Sequence, residues 1–312
     1  MTSRKKIFVT GATGFIGKSF LSNVIGQNFN VVAPARKPLS NLPDCVEMPL
    51  LEDLNNLPTD CDWFDGCDAV LHIAAKAHLN NLSLDDYALV NTTATLNLAK
   101  RSADAGVKRF VFLSSIGVNG ISNTKPYTAF DVPAPVEAYA VSKLEAEIGL
   151  KQIAKETGME VVIIRPPLVY GADAPGNFGK LTKLAQKNLP LPLGAIHNKR
   201  SLVALDNLVD LIITCIDHPK AANHTFLVSD DLDVSTTDLL QMMTRAAGKK
   251  PRLIPVPVSW LKLAGKLTGK QAVIDRLCGN LQVDISHTKD TLGWKPPITV
   301  EEGIARCFAA KG

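Results

Sequence analysis

Short apolar runs separated by stretches of helical period organise the first half of the chain. Ile7-Phe8-Val9-Thr10 predicts a strand, and a glycine cluster then leads into residues 15–25, whose apolar positions repeat with helical spacing. Asn30-Val31-Val32-Ala33 predicts a second strand. Asp68-Ala69-Val70-Leu71-His72-Ile73 predicts another, entered through the turn signals of Gly66-Cys67-Asp68. Residues 84–105 carry helical spacing and stop at Gly106, and residues 109–113 return to a strand. Residues 137–156 predict a long helix closed by Gly158. After it, Val161-Val162-Ile163-Ile164 is the unbroken apolar run of a parallel strand covered on both faces. Strands alternating with helices predict βαβ units and a doubly wound parallel sheet.

The texture changes after Arg165. Prolines and glycines crowd residues 166–194, short helices and isolated strands follow, and a second proline cluster spans 251–257. The expectation is an α/β protein with a Rossmann domain at 1–165 and a smaller region at 166–312. One strand and helix at 201–217 are placed to return to the main sheet. Lys262, Lys266 and Lys270 share one helical face between apolar positions. That is the pattern of a solvated amphipathic helix, with a membrane-surface helix as the alternative.

Composition narrows the function classes. The 312 residues are 46% hydrophobic and 21% charged, ordinary globular usage that excludes disordered, collagen-like and coiled-coil chains. The net charge is +4 with the basic residues scattered. The densest run, Arg4-Lys5-Lys6, leads straight into a strand, so no nucleic-acid partner is expected. No stretch approaches the roughly 18 apolar residues of a membrane span, and the N-terminus does not read as a signal peptide. Six cysteines without CxxC spacing read as free thiols of a cytoplasmic protein. The six histidines have no metal-ligand spacing, and no metal site is expected.

Gly11-Ala12-Thr13-Gly14-Phe15-Ile16-Gly17 follows a strand and opens a helix, the context in which a glycine motif binds a dinucleotide. The first glycines permit a tight turn and let backbone N–H groups approach a pyrophosphate at the helix N-terminus, and the last allows close helix–strand packing. A carboxylate at the end of the second strand would accept hydrogen bonds from the adenosine ribose and favour NAD. The sequence there is Val31-Val32-Ala33-Pro34-Ala35-Arg36-Lys37. Arg36 suits a 2′-phosphate and favours NADP, the alternative being a solvent-facing loop arginine with NAD as the cofactor.

Tyr139 and Lys143 stand four residues apart on the long helix, hence on one face. An ammonium near a phenol is expected to lower the phenol pKa and ready it for proton exchange with a sugar hydroxyl or carbonyl. Upstream, Ser114-Ser115 ends a strand, at the carboxyl edge where open α/β sheets bind ligands.

These residues together resemble the extended short-chain dehydrogenase/reductases acting on nucleotide sugars, and within them the UDP-glucose 4-epimerase-like branch. The resemblance rests on the glycine loop, Leu71-His72-Ile73-Ala74-Ala75, Val90-Asn91, Ser114-Ser115, Tyr139 with Lys143, Arg165-Pro166-Pro167-Leu168-Val169-Tyr170-Gly171, and Leu292-Gly293-Trp294-Lys295-Pro296. It implies that Tyr139 is the acid/base and that Lys143 binds the nicotinamide ribose. It also implies that Ser115 bonds the reacting oxygen and that Asn91 positions the site. Gly11, Thr13, Gly14, Phe15, Ile16, Gly17, Ala74 and Ala75 would line the cofactor, and Asn177 and Arg200 the substrate diphosphate. The last two match more loosely; Asn177 also reads as a turn residue and Arg200 as a surface ion-pair partner. A homodimer through helices 84–105 and 137–156 is implied as well.

Three departures refine this. Dehydratases of the class carry adjacent acids after the serine or threonine, where this chain has Ile116 and Gly117, so 4,6-dehydration is not expected. The second departure is Arg36 itself, which suggests an exchangeable NADPH. The first expectation is therefore reduction of a UDP-4-keto-6-deoxy-N-acetylhexosamine in surface polysaccharide (O-antigen) synthesis. The alternative is a UDP-glucose or UDP-N-acetylglucosamine 4-epimerase with bound NAD, and a lesser one a non-catalytic NADP sensor. The third is Asn119, where many epimerases have tyrosine.

Overall fold

The continuous apolar runs become the inner strands of one parallel sheet. The structure, a computed structural model, describes residues 4–58, 60–77 and 83–309. Its strands are β1 (Lys5–Thr10), β2 (Phe29–Val32), β3 (Val46–Glu47), β4 (Cys67–His72), β5 (Arg109–Leu113), β6 (Glu160–Arg165), β7 (Leu168–Tyr170), β8 (Arg200–Ala204), β9 (Thr225–Leu227) and β10 (Asp233–Val234). Seven form the main sheet in the order β3-β2-β1-β4-β5-β6-β9, with every neighbouring pair parallel. The α/β fold with a Rossmann-type sheet is as the pattern predicts.

The helices are α1 (Phe15–Val24), α2 (Leu84–Tyr87), α3 (Ala94–Asp104), α4 (Ala138–Thr157), α5 (Gly176–Lys187), α6 (Leu205–Asp217), α7 (Thr236–Ala246), α8 (Val258–Leu267), α9 (Gln271–Cys278), α10 (Ser286–Leu292) and α11 (Val300–Phe308). Successive residues of a strand face opposite ways, and both faces are covered. Ile7 and Val9 pack with Phe20 of α1 and Leu208 and Ile212 of α6. Phe8 packs on the other side with Leu98 of α3 and Leu150 of α4. That is why these strands read as unbroken apolar runs.

The strand near residue 201 differs from its expectation. β8 does not enter the main sheet; it is the middle strand of a second, three-stranded sheet, β10-β8-β7. The strand that returns is β9, which pairs with β6 through Ile163 opposite Thr225 and Ile164 opposite Phe226. Helix α6 does return, burying Leu208, Leu211, Ile212 and Cys215 against the sheet. Apolar alternation is the same in either sheet, so the local pattern carries no information about which edge a strand joins. The stretch read as one helix over 84–105 is α2 and α3 joined by a π turn, Ala88–Thr93. Among the described residues no helix is long and apolar enough to cross a membrane, no group of three or more His, Cys, Asp or Glu is placed to hold a metal, and all six cysteines are free.

Candidate active site

The carboxyl ends of β1, β4 and β5 meet the start of α4. At the end of β1 the loop of residues 11–17 is backbone packed on backbone. A Cβ on Gly11, whose φ is +74°, would meet the Ala74 nitrogen at 2.7 Å, and one on Gly17 would meet the Gly11 oxygen at 2.2 Å. Gly14 caps α1 in extended conformation and offers no side chain to its first amides, which leaves donors and the helix dipole facing outward. Thr13 is half-buried and Gly14 exposed, whereas Phe15 reaches back to pack beside Gly171 and Ile16 joins the core. The loop fits a dinucleotide pyrophosphate, which Gly11, Thr13, Gly14, Phe15, Ile16 and Gly17 would surround, with the backbone of Ala74 beneath Gly11. Ala75 is exposed beyond it.

Arg36 and Lys37 are exposed just past β2, after Ala33, Pro34 and Ala35, which are buried. Arg36 is thus free of the core and open to solvent.

Ser115 leaves β5 with φ −155° and ψ 148° and caps a single 3-10 turn, its Oγ accepting the Gly117 N–H at 3.1 Å. The turn packs on α4: a Cβ on Gly117 would lie 3.2 Å from the Ala140 Cβ, next to Tyr139. Ile116 and Gly117 occupy this turn, and neither carries a proton-transfer group. Lys143, one turn along α4 from Tyr139, is fully buried. Its Nζ donates to the Leu113 carbonyl at 2.9 Å and lies 4.4 Å from the Phe112 ring centroid and 6.0 Å from that of Tyr139. Ser115, Tyr139 and Lys143 are therefore brought together at the end of β5.

Their electrostatics differ from the sequence expectation. Burial pushes the Tyr139 phenol up to about 12, helped by Tyr87, whose ring stands 6.1 Å away edge-on. Burial also pushes Lys143 down to about 7, with the Glu147 carboxylate one turn on working against it. The expectation is a phenol lowered by the ammonium; instead desolvation of the phenolate raises it.

Asn91 is buried in the π turn, a feature frequent at functional sites. Its Oδ1 accepts the Lys76 N–H at 2.9 Å, and its Nδ2 donates to the Lys76 carbonyl at 3.0 Å and to Ser142 Oγ at 3.1 Å. Ser142 Oγ in turn donates to the Tyr139 carbonyl at 2.8 Å. Asn91 thereby ties the segment after β4 to the backbone that carries Tyr139.

Two polar networks behind the site were not read from the sequence. The first runs through His72. Thr10 Oγ1 accepts the Ala74 N–H at 3.2 Å and lies 2.6 Å from His72 Nδ1. His72 Nε2–H then donates to Thr95 Oγ1 at 2.8 Å, which donates to the Asn91 carbonyl at 2.8 Å. The Thr95 hydroxyl is committed to the Asn91 carbonyl, so Nε2 carries a proton, and in the neutral imidazole Nδ1 accepts from Thr10. Complete burial, with Lys143 adding to it, holds His72 down to about 3. The sign follows. An unfolded histidine takes up a proton below about 6.5 and the folded one does not, so stability present above that pH is lost as pH falls toward 3. The loss reaches about 2–3 kcal/mol by pH 4.5. Denaturant titrations at pH 7 and 4.5 check it: His72→Gln loses that much less between the two, and an equal loss excludes His72 as its source.

The second network is the Glu147–Arg165 pair, with side chains 1% and 3% exposed. Arg165 Nε donates to Glu147 Oε1 at 2.9 Å and its Nη1 to Asn119 Oδ1 at 2.9 Å, while Ser114 Oγ donates to Glu147 Oε1. Asn119 Nδ2 donates to the Thr128 carbonyl at 3.2 Å, so the asparagine that replaces the usual tyrosine completes a buried network. An acid at the fourth residue past Lys143, on the same helix face, was the available signal.

The looser substrate assignments lie on the second region. Asn177 is exposed in the first turn of α5. Arg200, at the start of β8, is half-buried, and its Nη1 donates to the carbonyls of Arg276 at 2.9 Å and Gly279 at 3.1 Å, at the end of α9.

Comparison with known proteins follows from this geometry. Residues 7–229 match the family model described as NAD dependent epimerase/dehydratase family. A protein of Vibrio cholerae named UDP-glucose 4-epimerase is 46% identical over 98% of this chain and 95% of its own length. A dTDP-4-dehydro-6-deoxyglucose reductase of Escherichia coli is 24% identical over 97% of this chain and 97% of its own length. The solved UDP-glucuronic acid 4-epimerase of Bacillus cereus, in complex with NAD, superposes with a TM-score of 0.77 over 97% of this chain and 95% of its own at 19% identity, a likeness of fold. The match over most of the chain and the close relative establish that this protein belongs to the NAD dependent epimerase/dehydratase family, an enzyme of the extended short-chain dehydrogenase/reductase type.

Proposed function

We propose that the chain is a UDP-hexose 4-epimerase acting on UDP-glucose or UDP-N-acetylglucosamine with retained NAD. The observation that carries this reading is the 46% identity, over nearly the whole chain, to a protein named UDP-glucose 4-epimerase, against 24% for the reductase. It reverses the order in which Arg36 alone ranks the two activities. A nicotinamide dinucleotide on the 11–17 loop supplies hydride acceptance and return at carbon 4. Tyr139 takes the proton from the 4-hydroxyl and gives it back on the other face of the sugar. Ser115 bonds the same oxygen, and Lys143, anchored on the Leu113 carbonyl, sets its amino group beside the phenol. Asn91 fixes the backbone of Tyr139 through Ser142, and Asn177 and Arg200 lie on the region assigned to the UDP moiety.

Arg36 sustains a second reading, an NADPH-dependent 4-ketosugar reductase, because no carboxylate stands at the end of β2. Two mixtures separate them by NMR of the sugar. UDP-glucose or UDP-N-acetylglucosamine with no added cofactor is expected to equilibrate with the galacto form. No interconversion there, together with stoichiometric NADPH loss on UDP-4-keto-6-deoxy-N-acetylglucosamine, replaces the epimerase by the reductase.

The free thiols fit a reducing cytoplasm. The helices read from the sequence as a dimer interface expose Leu84, Leu89 and Ile148, which supports a homodimer through α2, α3 and α4. Sedimentation velocity is expected to show a dimer that Ile148→Glu splits; a monomeric wild type removes the pairing.

A further inference from the structure

We infer that α8 is a docking surface for an anionic lipid bilayer. The helix is seated by its inner face: Leu261 is buried, and Gly265 lies so close to α9 that a Cβ there would meet Ile274 Cγ1 at 2.9 Å. Its outer face is the reverse of a solvated one. Trp260, Leu263 and Leu267, spaced at helical intervals on one stripe, are 71%, 59% and 79% exposed. Lys262 and Lys266 flank that stripe and Lys270 follows it, all exposed. Tryptophan and leucine beside snorkelling lysines is the composition of a helix lying in the headgroup plane of a membrane.

Charge selects the occupant. The cations of this protein are spread along the chain, but the acids are not. Residues 239–274 hold seven Lys or Arg and no Asp or Glu, while the remainder of the chain has a net charge of −3. Arg252, Lys249 and Lys250, in the turn leading to α8, are exposed as well. A second copy of the chain meeting this face by twofold symmetry would set the cluster against itself. A surface of anionic headgroups complements both the apolar stripe and the charge. The contact would be peripheral, because α8 is 10 residues long.

The test uses the intact protein and vesicles of phosphatidylcholine with or without phosphatidylglycerol. Trp63 and Trp294 are buried, so a vesicle-induced blue shift of emission reports Trp260. Co-sedimentation and the blue shift are expected with phosphatidylglycerol and not with phosphatidylcholine alone, and 0.5 M salt should weaken both. Trp260→Phe should abolish the shift. Neutralising Lys262, Lys266 and Lys270 as glutamine should weaken vesicle binding on the order of 100-fold, roughly fivefold for each charge. Absence of co-sedimentation at 0.1 M salt overturns the inference, as does binding that the three substitutions leave unchanged. Self-association that Trp260→Ser abolishes, without vesicle binding, would assign the face to a second copy instead.

Discussion

Tyr139→Phe is expected to lower kcat by about 10²–10⁴-fold with little change in KM, because it removes one hydroxyl from the position where the proton moves. The fold should tolerate it. The ring keeps its edge-on contact with Tyr87, and the backbone of residue 139 stays held by Ser142 and, behind it, Asn91. Rates on UDP-glucose or UDP-N-acetylglucosamine and unfolding midpoints, measured on the same preparations, check both halves. Activity within tenfold of wild type would remove Tyr139 as the acid/base. The phenol sits near 12 in the free fold and Lys143 near 7, so both are displaced toward their neutral forms by burial.

Glu147→Ala should destabilise the protein by about 3–5 kcal/mol, as does removal of one partner from a buried ion pair. The substitution leaves the Arg165 guanidinium bonded to Asn119 but stripped of its counter-ion, and leaves the Ser114 hydroxyl without its carboxylate. Replacing both charges with apolar residues of similar size, Glu147→Leu with Arg165→Met, should recover most of the loss, since the pair itself contributes little beyond its own desolvation. Denaturant titration of Glu147→Leu, Arg165→Met and the double variant completes the cycle. A single variant as stable as wild type, or a double variant no better than the singles, contradicts this account. Loss of the carboxylate should also lower Lys143 further, because Glu147 is the group that holds its ammonium against burial.

The parts legible in the sequence are those whose cause is local. Ile7-Phe8-Val9 and Val161-Val162-Ile163-Ile164 announce buried parallel strands because both faces of each are covered. The glycines of the 11–17 loop announce themselves because backbone meets backbone there and no Cβ fits. Tyr139 and Lys143 share a face for reasons of helical period alone. What escaped reading depends on residues distant in the chain. Asn119 gains its meaning from Arg165, 46 residues away, and His72 from Thr10 and Thr95. The π turn around Asn91 adds one residue to a helical repeat, a change too small to show in apolar spacing. The raised phenol of Tyr139 reflects its burial and the neighbouring Tyr87, neither of which the Tyr139–Lys143 spacing reveals.

The return of β9 to the main sheet has a consequence for synthesis of the chain. When Arg165 leaves the ribosome, β6 has its inner neighbour β5 in hand, but its other edge waits for Thr225–Leu227. At about 5–20 residues per second, the roughly 60 residues between them take about 3–12 s to emerge. During that interval the nascent protein displays an apolar strand with unpaired N–H and C=O groups, a template for pairing with another chain. Residues 1–165 are therefore a translation intermediate and not a unit that finishes folding by itself. Chaperone capture is expected to concentrate on that edge until the second region has been made.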